Sequence, residues 1–117
     1  MDKEMLYLAA DSGGSKTIWV LLTEHGETIC EFRTEGIAAV KEGILPVDEI
    51  VGKAAKILKA YSMPQAVFLS LGGPNVEEVE GALRKYWKDI PVKVEREANG
   101  KAILFAASYF GCSALQV

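Results

Sequence analysis

The stretch MLYLAADSGGSKTIWVLLT, residues 5–23, decides the fold. Met5 to Ala10 is a short apolar run that ends on Asp11-Ser12-Gly13-Gly14-Ser15-Lys16. Thr17 to Thr23 is β-branched and aromatic, the composition of a strand. Two strands with a glycine-rich break between them read as a hairpin, and the break carries the polar residues. Glu24-His25-Gly26-Glu27 then predicts a second tight turn, with Gly26 suited to a positive φ. Thr28 to Thr34 follows as a third strand, with Thr28, Cys30 and Phe32 on one face and Glu31 and Arg33 on the other. These three strands form an antiparallel meander.

Beyond Gly36 and Gly43 the pattern changes to a helical period. Ile50, Val51, Ala54, Ile57, Leu58 and Tyr61 make one stripe of a helix over Val47 to Tyr61, with Lys53, Lys56 and Lys59 off it. Ala66 to Leu71 is an unbroken apolar run of the buried, parallel kind. Gly72-Gly73-Pro74-Asn75 ends it, and Asn75 is a good N-cap for a second helix. That helix has Glu77, Glu78 and Glu80 early and Arg84, Lys85 and Lys88 late, which suits its macrodipole. Val92 to Glu95 predicts a short strand, Glu97 to Phe110 a third helix, and Ser113 to Val117 the start of another strand. The expected fold is α/β: a mixed five-stranded sheet with three antiparallel strands first and helices on both faces.

A chain of 117 residues makes a single domain or part of one. Half of it is apolar and a quarter charged, so a folded core is expected. Thirteen basic residues against sixteen acidic give a net charge of −3, which argues against nucleic acid or an anionic membrane as partner. No apolar run approaches the roughly 18 residues of a membrane span, and Met1-Asp2-Lys3-Glu4 is too acidic to open a signal peptide, so the expected location is the cytoplasm. Cys30 and Cys112 form no CxxC motif and read as buried thiols; His25 has no partner at metal-ligand spacing.

The chemistry lies in Asp11 to Thr17. Consecutive glycines let backbone N–H groups converge on an anion with no Cβ in the way. Asp11, at the carboxyl end of the first strand, is placed to hold a hydrated Mg²⁺; Lys16 adds positive charge, and Ser15 and Thr17 add hydroxyl donors. A Walker A loop is excluded, because Ser15 separates Gly14 from Lys16 and a strand follows. A dinucleotide fingerprint is excluded by spacing and by the missing helix. The composition alone leaves a second reading open, a polar hairpin turn with no ligand.

The segment from Leu8 to Trp19 resembles the first phosphate motif of the N-acetylglucosamine kinase and BadF/BadG-type ATPase family, within the superfamily of actin, sugar kinases and heat-shock chaperones. Thr34-Glu35-Gly36-Ile37, Gly72-Gly73, and Glu97 with Gly100 continue the resemblance in order and spacing. It implies a ribonuclease-H-like (actin-like ATPase) N-terminal lobe spanning residues 1–117 and lacking its second lobe. It implies ATP and Mg²⁺ as cofactors, with Gly13, Gly14, Ser15, Lys16 and Thr17 around the β- and γ-phosphates and Asp11 on Mg²⁺ through water. It also implies a sugar-like small-molecule substrate near Gly36, Gly72 and Gly73, with Glu97 as the base that takes the acceptor proton. Two positions depart from the family: Glu97 stands where its kinases usually carry aspartate, and Gly36-Ile37-Ala38-Ala39 has no asparagine for a sugar hydroxyl. A structural charge at a helix N-terminus is the other reading of Glu97.

No charged residue follows Lys101, and that apolar tail is expected to pack against a C-terminal lobe or a second copy of the chain. Two alternatives to a kinase remain at this point. One is an ATP-driven activator of the BadF/BadG type; the other is a non-catalytic half-domain used for assembly.

Overall fold

The computed structural model describes residues 5–37, 47–72 and 76–96. Within them lie β1 (Leu6–Ser12), β2 (Lys16–Thr23), β3 (Thr28–Glu35), α1 (Val47–Leu58), β4 (Ala66–Leu71), α2 (Val76–Tyr86) and β5 (Val92–Arg96). The strands make one sheet in the order β3-β2-β1-β4-β5. The meander β1-β2-β3 is antiparallel, and β4 and β5 add to β1 in parallel. The third helix and the final strand expected from the sequence, with Glu97, Gly73, Asn75 and Cys112, fall outside the described residues.

Period-two alternation sorts the strands into two faces. Leu6, Leu8 and Ala10 of β1, Trp19 and Leu21 of β2, Val67, Leu69 and Leu71 of β4, and Val92 and Val94 of β5 share one core cluster with both described helices. Ala9, Val20, Leu22 and Phe68 form a second cluster on the other face. Both crossovers, β3-α1-β4 and β4-α2-β5, travel along the sheet in the same direction. Because such connections are nearly always right-handed, α1 and α2 must land on the same side. The expectation of helices on both faces is therefore met on one face, and the helix expected for the other lies outside the described residues.

Trp19 anchors the helix side. It is fully buried, stacks on Phe32 at 6.1 Å, and donates its indole N–H to the Thr34 hydroxyl at 2.8 Å. Burial of a side chain this size contributes roughly 5 kcal/mol of transfer free energy before entropy is counted. Cys30 is half-buried on the outer strand β3 and packs against the same core.

Helix α1 ends earlier than its periodicity suggests. The apolar stripe holds at Val47, Ile50, Val51, Ala54 and Leu58, all buried, but Ile57 and Tyr61 are about 40% exposed (43% and 39%). Ile57 sits at the margin of the stripe. Tyr61 follows a terminating turn in which Lys59, Ala60 and Tyr61 donate to carbonyls three residues back. Helix α2 keeps its predicted polarity, with Glu77 and Glu78 in its first turn and Arg84 and Lys85 in its last. Lys88, expected late in it, lies beyond its end at Tyr86.

Candidate functional site

The glycine loop sits at the carboxyl edge of the sheet, between Ser12 at the end of β1 and Lys16 at the start of β2. Ser12 and Thr17 face each other across the hairpin, and the Gly13 N–H donates to the Lys16 carbonyl at 3.0 Å. Gly14, Ser15 and Lys16 are exposed. Neither Gly13 nor Gly14 uses a positive φ; among the described residues that is a property of Gly26 alone, at 86°. What these two glycines supply is room, since a Cβ built on either meets nothing within 4 Å. Among the described residues nothing accepts the amide protons of Gly14 and Ser15. Nothing among them pairs with the Lys16 ammonium either.

The loop is wedged from both sides by glycine. A Cβ at Gly36 would come within 2.6 Å of the Gly13 carbonyl oxygen and 2.8 Å of Gly14 backbone atoms. Only hydrogen fits there, so the chain leaving β3 lies directly on the loop. On the other side the Gly72 N–H donates to the Ser12 carbonyl at 2.9 Å, extending the β1–β4 ladder by one bond. The structure thus brings Asp11, Gly13 to Thr17, Gly36 and Gly72 into one place. Gly73 and Glu97 lie outside the described residues.

Hydroxyls fasten this arrangement from below. Thr17 is fully buried, its Oγ1 lies 2.8 Å from the Ser12 hydroxyl, and it donates to the Glu35 carbonyl at 2.9 Å. The Ile37 N–H donates to Ser12 Oγ at 2.9 Å and lies 3.3 Å from Thr17 Oγ1. Thr17 therefore spends its hydroxyl proton inside the fold, while Ser15 and Lys16 remain open to a ligand. Composition and motif do not single out Ser12. Its signal is the alternation of β1, which puts residue 12 on the same face as the core positions 6, 8 and 10 and demands a hydrogen-bond partner there.

Asp11 faces the other way. Its register partners are Ile18 and Ser70, so it belongs to the row Arg33, Ile18, Asp11, Ser70 and Glu95 on the second face. It is half-buried at the strand end, where a carboxylate remains accessible to a hydrated cation. At the exit of β3 the Lys53 ammonium lies 2.7 Å from the Glu35 carboxylate and holds it below the usual carboxylate range. The pair ties α1 to the segment that presses on the loop. Among the described residues no cluster of three or more His, Cys, Asp or Glu is arranged to hold a metal ion, and no helix is long and apolar enough to cross a membrane.

An open loop whose tip amides have no acceptor among the described residues, an exposed lysine and a carboxylate at the adjoining strand end can take an anion and a hydrated cation together. The donor set fits the phosphates of a nucleotide and Mg²⁺: Gly14, Ser15 and Lys16 on the anion, Asp11 on the cation.

No family model matches the chain, and no curated protein does. Solved structures do. A candidate sugar kinase from Cytophaga hutchinsonii is similar with TM-score 0.61 and 23% identity, over 84% of this chain and 38% of its own. A ROK-family glucokinase from Streptomyces griseus, solved with glucose and AMPPNP, is similar with TM-score 0.59 and 19% identity, over 91% of this chain and 37% of its own. T. thermophilus RuvC, solved with a Holliday junction, is similar with TM-score 0.53 and 17% identity, over 89% of this chain and 72% of its own. At these identities the likeness establishes the fold alone: a mixed α/β sheet of the kind these two kinases and RuvC share. It gives no support to the BadF/BadG branch in particular. The chain spans under two-fifths of the two kinases it resembles.

Proposed function

We propose that this chain is the N-terminal lobe of an ATP-dependent sugar kinase of the actin-like ATPase superfamily, with a ribonuclease-H-like core. Fold alone does not choose this function, since a Holliday-junction protein is similar as well. The observation that carries the reading is the loop: exposed residues Gly14 and Ser15, empty space above Gly13 and Gly14, and an exposed Lys16 with no ion-pair partner among the described residues, all beside Asp11. A nucleic-acid role finds less support in a chain of net charge −3.

In this reading Gly13 to Lys16 receive the terminal phosphates of ATP, and Thr17 holds the loop from beneath. Asp11 orients the water shell of Mg²⁺, and bound Mg²⁺ neutralises phosphate charge. Gly36 and Gly72 flank the loop closely enough to line the acceptor side. Glu97 is the proposed base for the accepting hydroxyl, and a sugar is the proposed acceptor. The second lobe completes the nucleotide site, and the cytoplasm is the proposed location.

The test is Mg·AMPPNP binding to the full-length protein, with a sugar panel for ATP turnover. Lys16→Ala and Asp11→Asn should each weaken nucleotide binding roughly tenfold, as loss of one charge-assisted contact does. Absence of nucleotide binding, together with no turnover on any sugar, sinks the proposal.

A further inference from the structure

The hydroxyls beneath the loop form a directed chain. The Thr17 hydroxyl has one proton, and it goes to the Glu35 carbonyl at 2.9 Å. In the 2.8 Å contact between Ser12 and Thr17, Ser12 must then be the donor. Ser12 Oγ keeps its lone pairs for the Ile37 N–H at 2.9 Å. The path runs from the Ile37 N–H to Ser12, from Ser12 to Thr17, and from Thr17 to the Glu35 carbonyl. Its two side chains bracket the glycine loop, residues 12 and 17. Its two backbone groups bracket Gly36, residues 35 and 37. Gly36 is the residue whose backbone lies against Gly13 and Gly14.

Every member is buried or backbone: Ser12 is 1% exposed, and Thr17 and Ile37 are fully buried. The Ser12–Thr17 and Ser12–Ile37 bonds are buried, with no water to substitute for a missing partner, so loss of the Ser12 hydroxyl leaves its partners unpaired. Two alternatives at position 12 show what the hydroxyl does. An apolar side chain fills the same slot in the sheet but strands the Ile37 N–H on a weaker 3.3 Å contact with Thr17. A threonine keeps the oxygen and the strand preference.

We propose that Ser12 is a positioning residue for phosphate binding: through Thr17 and Ile37 it clasps the segment around Gly36 to the glycine loop, so that the two are ordered together. This rests on the proposed reading of the loop as a phosphate site and adds to it the residue that fixes the loop's shape. Ser12 touches no ligand. Its hydroxyl sits on the helix side of the sheet, whereas Gly14, Ser15 and Lys16 are exposed at the loop tip.

The experiment pairs amide hydrogen exchange with Mg·AMPPNP titration on the full-length protein and its Ser12→Ala, Ser12→Cys and Ser12→Thr variants. Ser12→Ala should speed exchange at the Ile37 amide by about tenfold or more, the signature of local opening. It should also weaken Mg·AMPPNP roughly tenfold at a temperature where every variant stays folded. Ser12→Thr should restore both, and at that temperature a loss of bulk stability alone leaves affinity unmoved. Should Ser12→Ala not fold, Ser12→Cys keeps the size of the side chain with a poor acceptor and must show the same two effects. The inference is overturned if wild type binds the nucleotide and neither variant changes affinity or Ile37 exchange. It is equally overturned if Ser12→Thr behaves like Ser12→Ala. If wild type binds no Mg·AMPPNP at millimolar concentration, the phosphate reading itself fails and takes the positioning role with it.

Discussion

The two hairpin turns of the meander solve the same geometric problem in opposite ways. The turn between β2 and β3 closes on itself. Gly26 takes φ 86°, its N–H donates to the Thr23 carbonyl at 3.0 Å, and the Thr23 hydroxyl accepts the amides of His25 and Glu27 at 3.2 and 3.1 Å. Almost every donor is consumed locally. The turn between β1 and β2 is built from two glycines in ordinary backbone conformations, and its flanking hydroxyls reach away from it to Glu35 and Ile37. Its tip amides find no acceptor among the described residues. One turn is finished by its own residues; the other is held from outside and left open where a ligand can approach. A hairpin needs only the first kind, and the second kind is what the proposed phosphate site rests on.

The largest effects should come from filling the contact that holds the open turn. Gly36→Ala drives a Cβ to 2.6 Å from the Gly13 oxygen, against backbone that has nowhere to rotate. We expect a loss of about 2–3 kcal/mol in denaturant unfolding, the upper range for an overpacked site. Nucleotide affinity should fall further than stability does. An unchanged midpoint would mean that the loop is free of Gly36 in solution. Gly26→Ala comes next, at about 1–2 kcal/mol, because it forces a Cβ into the left-handed region. It should leave Mg·AMPPNP binding untouched. A change in binding would show that the two turns are not independent.

Gly14→Ala should reverse that order. No neighbour lies within 4 Å of the added methyl and no positive φ opposes it, so stability should stay within about 0.5 kcal/mol of wild type, as for a surface change. Phosphate affinity should nonetheless drop, by tenfold or more, since the methyl occupies space the ligand needs. Calorimetric titration beside thermal unfolding reads both. Loss of stability without loss of affinity would erase the distinction between the turns.

Much of this contrast is legible in the amino-acid sequence, and the reason differs from part to part. The five strands and two helices follow from period: β4 is apolar but for Ser70 because both of its faces are buried, and α1 shows its stripe at Val47, Ile50, Val51, Ala54 and Leu58. Gly26 is readable because a two-strand register forces one left-handed residue into so short a turn. The clearance at Gly13 and Gly14 is legible in the consecutive glycines, which leave no Cβ in the way; the hydroxyl ties beneath the loop are not. Thr17 looks like a ligand donor because the sequence cannot show that Glu35, eighteen positions away, is close enough to take its proton. The packing role of Gly36 is hidden for the same reason: its contact with Gly13 exists only once β2 and β3 are paired. The period overruns the end of α1 by three residues, from Leu58 to Tyr61, because a weak apolar repeat does not say where the turn tightens.

The smallest effect tests the outermost tie of the open turn. The Glu35 carboxylate is held by Lys53 at 2.7 Å, and its pKa is lowered from 4.5, chiefly by that hydrogen bond. A carboxyl whose folded pKa is depressed binds its proton more readily when the chain is unfolded. Its contribution to stability is therefore present above the unfolded value and lost as pH falls through the folded one. Unfolding followed from pH 7 downward should show this slope beginning near 4.5 and continuing below it. Glu35→Gln should flatten it while changing little at neutral pH, because both partners are about half exposed and water screens them. Raised salt should have the same sense of effect as the substitution. The Glu35 main-chain carbonyl, which accepts the Thr17 proton, is untouched by this change. Phosphate affinity should accordingly survive in Glu35→Gln. If it collapses instead, the clasp on the loop depends on α1 through Lys53, and the open turn is held from a greater distance than the hydroxyls alone provide.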